Sequence, residues 1–405
     1  MSYKKIHIII QIIFVFGFSS FKISNIEENK ITGIRTISES KAGSSIDLVF
    51  SSSKKNIKLF CTNSYSTAVL EPIEENNELH FIIPEHITNK KGLIQWKVIH
   101  NNKALLSGKI TVRPSDKKII MESYAGPPSI VAGGVDYFML TVCPADEFDN
   151  PLPEETDVII NHQFQSRIVS STEKIKRLVA WKTIFSYDKS GRFLVNSECK
   201  GVPSKEITTE VYPNNAVDFK ISASRFHDYA DGNQIASFKT SIIKDAYGNI
   251  VSDGTHVIFI TRNSKGKLLT TYGNTIAGIA TGKMLHPDQE ESWKTHAYID
   301  GIAESDTLNI SFKQLFKDFS INFSETNRKI KIGPIKSFMD QLIPDGFITQ
   351  LRISKNDSLI DTKEIPTRKG YAKFYLHPDF YINDTYKLEV KTGGVKKSFI
   401  KELKE

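Results

Sequence analysis

Among its 405 residues the chain has only three cysteines, Cys61, Cys143 and Cys199. That is too few for a disulfide framework, and no Cys-x-x-Cys or Cys/His spacing is present to hold zinc. Long apolar runs are also missing after the first twenty residues, so no later segment is apolar enough to cross a bilayer as a helix. The 53 Lys and Arg are scattered among 46 Asp and Glu. A net charge of +7 spread in this way describes a solvated surface, not the clustered basic patch with interleaved aromatics that nucleic acid requires. Gly-x-Ser-x-Gly elbows, His-Glu-x-x-His helices and phosphate-binding glycine loops are absent. The ten histidines are dispersed. His227-Asp228 and His377-Pro-Asp379 place imidazole beside carboxylate only in sequence, which is not the geometry of a catalytic triad. The chain therefore reads as a non-enzyme with no cofactor and no small-molecule substrate.

The N-terminus carries an address. Lys4 and Lys5 precede an apolar stretch from Ile8 to Phe18, and Gly17 and Ser19 are small residues at the spacing for cleavage after Ser19. This is the layout of a secretory signal peptide over residues 1–19, and it predicts export to the periplasm, outer-membrane surface or extracellular space. The apolar stretch is shorter than the roughly 20 residues a spanning helix needs.

A repeat organises the middle of the chain. Asp146-Glu-Phe148-Asp-Asn150 is followed by Thr156 and Val158; Asp245-Ala-Tyr247-Gly-Asn249 is followed by Thr255 and Val257. The two segments align without a gap at an offset of 99 residues. A third copy is traced by Asp345-Gly346 and Gly370-Tyr-Ala372, which stand 92 residues after Asp253-Gly254 and Gly278-Ile-Ala280. Around these turns lie alternating stretches of strand length, such as Tyr137 to Val142 and Phe238, Thr240 and Ile242, with turn residues between them. Short strands at regular spacing signal an all-β sandwich. The expected architecture is all-β: about four immunoglobulin-like sandwiches in an elongated rod. Residues 28–114 form a divergent first unit without the repeat turn, 118–213 and 216–313 form two more, and 318–405 form a last β-sandwich, immunoglobulin- or macroglobulin-like. At the 99-residue offset Cys143 matches Ile242, which puts Cys143 on a core-facing position.

The Asp and Asn of the turns (Asp146, Asn150, Asp245, Asn249) are expected to be structural, because their side chains bond nearby backbone and tolerate left-handed geometry. Gly254 and Gly278 complete the turn set. Asp146, Asp149 and Asn150 also offer hard oxygen ligands, but the spacing is not that of a calcium loop, and no metal is assigned.

The segment from Ile242 to Val257, with Asp245, Gly248-Asn249 and Gly254, resembles the invasin/intimin-type bacterial immunoglobulin-like repeat. That pattern runs D-x-x-G-N-P-V-x-G-x-x-V and returns with T-x-x-G-x-A. Thr270-Thr-Tyr-Gly-Asn-Thr-Ile-Ala-Gly278-Ile-Ala280 fits the return. Asp146 to Leu152 fits the first half but lacks the Gly before Asn150, and Trp181 stands where the third unit has Ala280. The resemblance covers residues 120–313 and implies a rod on or near a bacterial surface. It does not imply invasin function, because in that family the cell-binding ability lies in terminal modules. The close of the last unit, Tyr386 to Val390, Gly393-Gly394 and Lys396 to Ile400, resembles a type IX secretion C-terminal sorting domain, without that domain's Pro-Asn-Pro opening. Cys143 and Cys199, 56 residues apart, have the separation of the bridge that joins the two sheets of an immunoglobulin domain. Two separate buried thiols are the competing reading. The expected role is a cell-envelope spacer, adhesion or protein-binding module with a protein or surface component as partner. The alternative is an accessory subunit of an outer-membrane transport, secretion or conjugation complex.

Overall fold

The computed structural model describes residues 31–405; the expected signal peptide lies outside the described residues. Nearly every regular element is a strand, and the single helix among the described residues is the one-turn Glu85–Thr88. No helix among them is long and apolar enough to cross a membrane.

The strands assemble into four two-sheet sandwiches in tandem, each around its own core. In the second unit a three-stranded sheet (Ile119–Gly126, Tyr137–Asp146, Ala180–Phe185) faces a larger one (Ser129–Val131, Ile207–Tyr212, Gly191–Cys199, Asp157–Phe164, Arg167–Lys174). The short strand Ser129–Val131 runs parallel to Ile207–Tyr212, whereas the other pairings are antiparallel. This is the strand order of an immunoglobulin-like sandwich. The third unit repeats it strand for strand, with Tyr229–Ala230 as its short parallel strand. The first unit keeps the same order with Glu39–Lys41 as its short parallel strand, but adds a fourth strand, Ile73–Glu75, to its smaller sheet and, among the described residues, lacks a counterpart of Val202–Pro203. The fourth unit has the same two sheets, but its last strand, Val395–Glu402, pairs only with Thr385–Thr392 and has no parallel neighbour.

The strands form where they do because one side chain in two is apolar. Asp157–Phe164 buries Val158, Ile160, His162 and Phe164 and turns Asp157 and Ile159 outward. Glu291–Ile299 alternates in the same way around Trp293. A strand with one face in a core is fixed in register, since a one-residue slip would expose its whole apolar set. Trp96 and Trp293 are core residues, while Trp181 is 45% exposed on a sheet face.

The uniform 99-residue offset does not hold in three dimensions. In the third unit the strand Ile235–Thr240 ends earlier, and Ser241-Ile242 carries one more residue into the turn than the second unit has. Phe238 and Thr240 therefore correspond to the buried Leu140 and Val142, an offset of 98. The hairpin after the next strand is longer in the third unit, which raises the offset to 100. Ala280 thus corresponds to Ala180 and not to Trp181, and both alanines are fully buried. Two corrections follow. Ile242 is 48% exposed and does not share the inward face of Phe238. Cys143, between buried Val142 and Pro144, points out of the core opposite Glu122. Cys199 points in, with its thiol 3.5 Å from the Asp157 carbonyl. The two cysteines stand on different sheets, Cys199 facing the core between them and Cys143 facing away from it, and all three cysteines are free.

Candidate functional site

The repeat turns lie where one sandwich meets the next. Asp146 is fully buried at the end of its strand. Its carboxylate accepts from the amides of Phe148 and Asn150 (2.9 Å each), from the Asn150 side chain (2.8 Å) and from the Ser115 amide in the preceding linker (2.8 Å). Asp245 repeats this set with Tyr247 (2.9 Å), Asn249 (2.8 Å from the amide, 2.8 Å from the side chain) and the linker Asn214 amide (2.8 Å). Each aspartate thus folds its turn and ties down the linker that enters the unit. Burial alone would raise the Asp245 carboxyl, but the bonds from Asn249, Asn214 and Tyr247 outweigh it and hold the group below its ordinary range.

Held by the aspartate, each asparagine reaches into the preceding unit. Asn150 Nδ2 donates to the Asn89 carbonyl (2.8 Å), and its Oδ1 accepts from the Lys91 amide (2.8 Å). Asn249 makes the same pair with Asp188 (2.7 Å) and Ser190 (3.0 Å). A lysine answers from the other side: Lys90 Nζ donates to the Phe148 carbonyl (2.6 Å), and Lys189 Nζ to the Tyr247 carbonyl (2.8 Å). The aromatic residue between Asp and Asn packs on a glycine of the preceding unit. A Cβ on Gly43 would lie 2.5 Å from the Phe148 ring, and one on Gly133 2.9 Å from Tyr247. Every side of the Asp-x-aromatic-x-Asn pattern is thereby used. The aspartate organises the turn, the aromatic seats it, and the asparagine bonds across the joint. Asp116 adds a surface tie at the first joint, held low by hydrogen bonds from Lys41 and Lys200.

The third joint is built differently. In the fourth unit the corresponding turn is closed by the Ser337 amide bonding to the Gln341 carbonyl (2.7 Å), so Ser337 and Gln341 stand in place of Asp and Asn. On the third unit's side, Gln289 takes the place of the lysine. Here Tyr229 stacks on Phe338, with ring centroids 3.5 Å apart at 11°, and Gln314 Nε2 donates to the Gly393 carbonyl. Gly393 itself sits against Phe316.

The two glycines of the repeat serve the turn's outer loop. Gly254 (φ +86°) and Gly278 (φ +76°) adopt left-handed backbone, and a Cβ on Gly278 would meet Ile250 at 2.5 Å. The Asp253 carboxylate accepts from the Ala277 amide at 2.7 Å, joining the two loops; Asp345 does the same for the Lys369 amide (2.5 Å) in the fourth unit. The second unit holds Glu155 (φ +62°) and Leu178 (φ +79°) at these two glycine positions.

The joint's receiving half escaped the sequence reading: Gly43, Lys90 and Lys91, then Gly133, Lys189 and Ser190. Its signal was available, because Lys90 and Lys189 are themselves 99 residues apart. One open groove among the described residues is lined by Asp218, Tyr298, Gly301 and Glu304 of the third unit, and another crosses the second joint between Arg192, Glu210 and Ile250.

No family model matches the chain, and no curated protein matches it. Solved structures do. The Escherichia coli adhesin FdeC is similar at 13% identity and a TM-score of 0.44, over 70% of this chain and 96% of that one. The bacterial integrin-binding protein invasin is similar at 11% identity and a TM-score of 0.46, over 92% and 79%. InvD of Yersinia pseudotuberculosis is similar at 12% identity and a TM-score of 0.41, over 68% and 94%.

Proposed function

We propose that the chain is an exported, non-enzymatic array of immunoglobulin-like sandwiches that acts as a cell-envelope spacer and adhesion or protein-binding module. Its units run near 28–114, 118–213, 216–313 and 318–405, with the first as the presenting tip. The observation that carries this reading is the same polar clamp at two successive joints, made by Asn150 and Asn249. Flexible linkers leave domains free to reorient. A clamp of buried asparagine and aspartate instead fixes the angle between neighbours, which is what a spacer needs. The signal-peptide layout and the resemblance of the turn to the invasin/intimin-type repeat support the same reading.

An accessory subunit of an outer-membrane complex is the second reading. The open edge of Val395–Glu402 favours it, because a strand with one unpaired side is a docking edge for an extended partner segment. External protease applied to intact producing cells separates the two. Clipping of the chain, with a solitary protein recovered from gently solubilised envelopes, supports the spacer. Protection together with a stoichiometric membrane partner sinks it in favour of the subunit.

A further inference from the structure

At the base of the third joint three potential ligands converge. His227 and Asp231 flank the short strand Tyr229–Ala230, and His286 follows the strand Thr281–Leu285. One ligand atom from each lies within 4.8 Å of the others. His227 Nε2 is 3.4 Å from Asp231 Oδ2, and His286 Nδ1 is 3.5 Å from Asp231 Oδ1. The Asp231 carboxylate is held by the Asn233 and Gln234 amides (3.1 Å each).

Asp231 folds its own loop through those two amides, but the first two units do without a carboxylate or an imidazole here. Asp231 precedes the glycine whose amide bonds to Pro287, and the matching glycines of the first two units, Gly43 and Gly133, follow Ala42 and Ala132. His286 occupies the place of Ile87 and Ser186. A buried carboxylate and a buried imidazole in place of two alanines and a small or apolar residue cost desolvation energy that packing does not return. We propose that His227, Asp231 and His286 form a transition-metal site of the kind that takes Zn²⁺, with water completing a four-coordinate shell.

The ligand chemistry selects the metal. Two imidazoles and one carboxylate suit Zn²⁺ and its neighbours, whereas Ca²⁺ and Mg²⁺ want oxygen. His286 is buried; its Nδ1 lies 3.1 Å from the Tyr229 carbonyl and 3.5 Å from Asp231 Oδ1, and its Nε2 has no hydrogen-bond partner. His227 Nδ1 accepts from the Tyr229 amide (3.2 Å). That places the proton of the neutral ring on Nε2, so coordination through Nε2 shifts it to Nδ1 and exchanges the Tyr229 bond for a metal bond. Arg225 lies beside the cluster, but its charge is paired with Asp228 at 2.8 Å and its guanidinium rests over Phe312. His227 keeps about a quarter of its side chain exposed and provides access. Tyr229, between two of the ligands, is the residue stacked on Phe338 of the fourth unit. The metal would therefore stiffen the one joint of the three that lacks the asparagine clamp.

The test is titration of the chelator-stripped, full-length chain with Co²⁺, read by visible absorption, and with Zn²⁺, read by calorimetry and by thermal melting. The expected result is one saturable equivalent, four-coordinate cobalt bands and a metal-dependent rise in Tm. H227A and D231N should each weaken binding by more than the 10- to 100-fold that loss of an outer-shell partner costs. H227A, at a partly exposed loop position, should fold as the parent does, judged by its metal-free melt. Absence of a saturable equivalent in the parent chain overturns the proposal, as does affinity unchanged in both variants.

Discussion

Replacing Asn249 by alanine should uncouple the second and third units without unfolding either. Asn249 makes three side-chain hydrogen bonds. Two cross the joint, to the Asp188 carbonyl and from the Ser190 amide; one stays within its own turn, to Asp245. A neutral bond is worth about 0.5–1.5 kcal/mol and one to a charged group about 1.5–3. Asp188 is exposed and Ser190 half-buried, so water can take over their lost bonds and no full desolvation penalty remains. The joint should then lose about 1–3 kcal/mol, which is roughly 5- to 150-fold in the closed-to-open ratio. Native-state hydrogen exchange reads this directly: the Ser190 amide should exchange faster by that factor, while the strand amides of Glu291–Ile299 keep their protection. Small-angle scattering should show a broader distance distribution. Gln341→Ala is the control, because the matching position in the fourth unit has no cross-joint bond to lose. If Ser190 in N249A exchanges as it does in the parent chain, the asparagine does not hold the joint and the clamp argument fails.

The same joint has a defined acid limit. The Asp245 carboxyl is lowered from its ordinary 3.8. Its contribution is therefore complete above pH 3.8 and is lost as pH falls through the lower folded value; scattering profiles at pH 5 and pH 7 should superpose, and loosening should begin only below 3.8. Glu155→Gly should stabilise the second unit. A left-handed non-glycine residue costs about 1–2 kcal/mol, glycine's extra chain entropy returns about 0.5–1, and the difference should raise that unit's melting temperature in calorimetry. Gly278→Ala should do the reverse in the third unit by about 1–3 kcal/mol, through left-handed strain and the contact with Ile250, visible as a lower denaturant midpoint.

The sandwich class was readable because each core strand alternates, as Asp157–Phe164 and Glu291–Ile299 show. The turn was readable because Asp, aromatic and Asn recur at fixed spacing. Its purpose was not, since Asn249 finds its partners at Asp188 and Ser190, about sixty residues back on a different unit. The extra residue at Ser241-Ile242 was also hidden. Gap-free alignment of the turns carries a one-residue error into the strand before them, and in a strand one residue is the difference between inside and outside. That error is what turned Cys143 toward the core on paper. The His227, Asp231 and His286 grouping stayed invisible because topology, not sequence, brings residues 227 and 286 together.

The free thiols have a mechanical meaning. With Cys143 and Cys199 unbridged, nothing covalent shortens a unit that is pulled from its two ends. A sandwich of roughly 100 residues that gives way can pay out on the order of 300 Å of chain before it is taut. Yielding of either of the first two units would bare a cysteine that the folded unit keeps from solvent: Cys61, whose burial pushes its thiol up to about 11, in the first, and Cys199 in the second, whereas the last two units hold none.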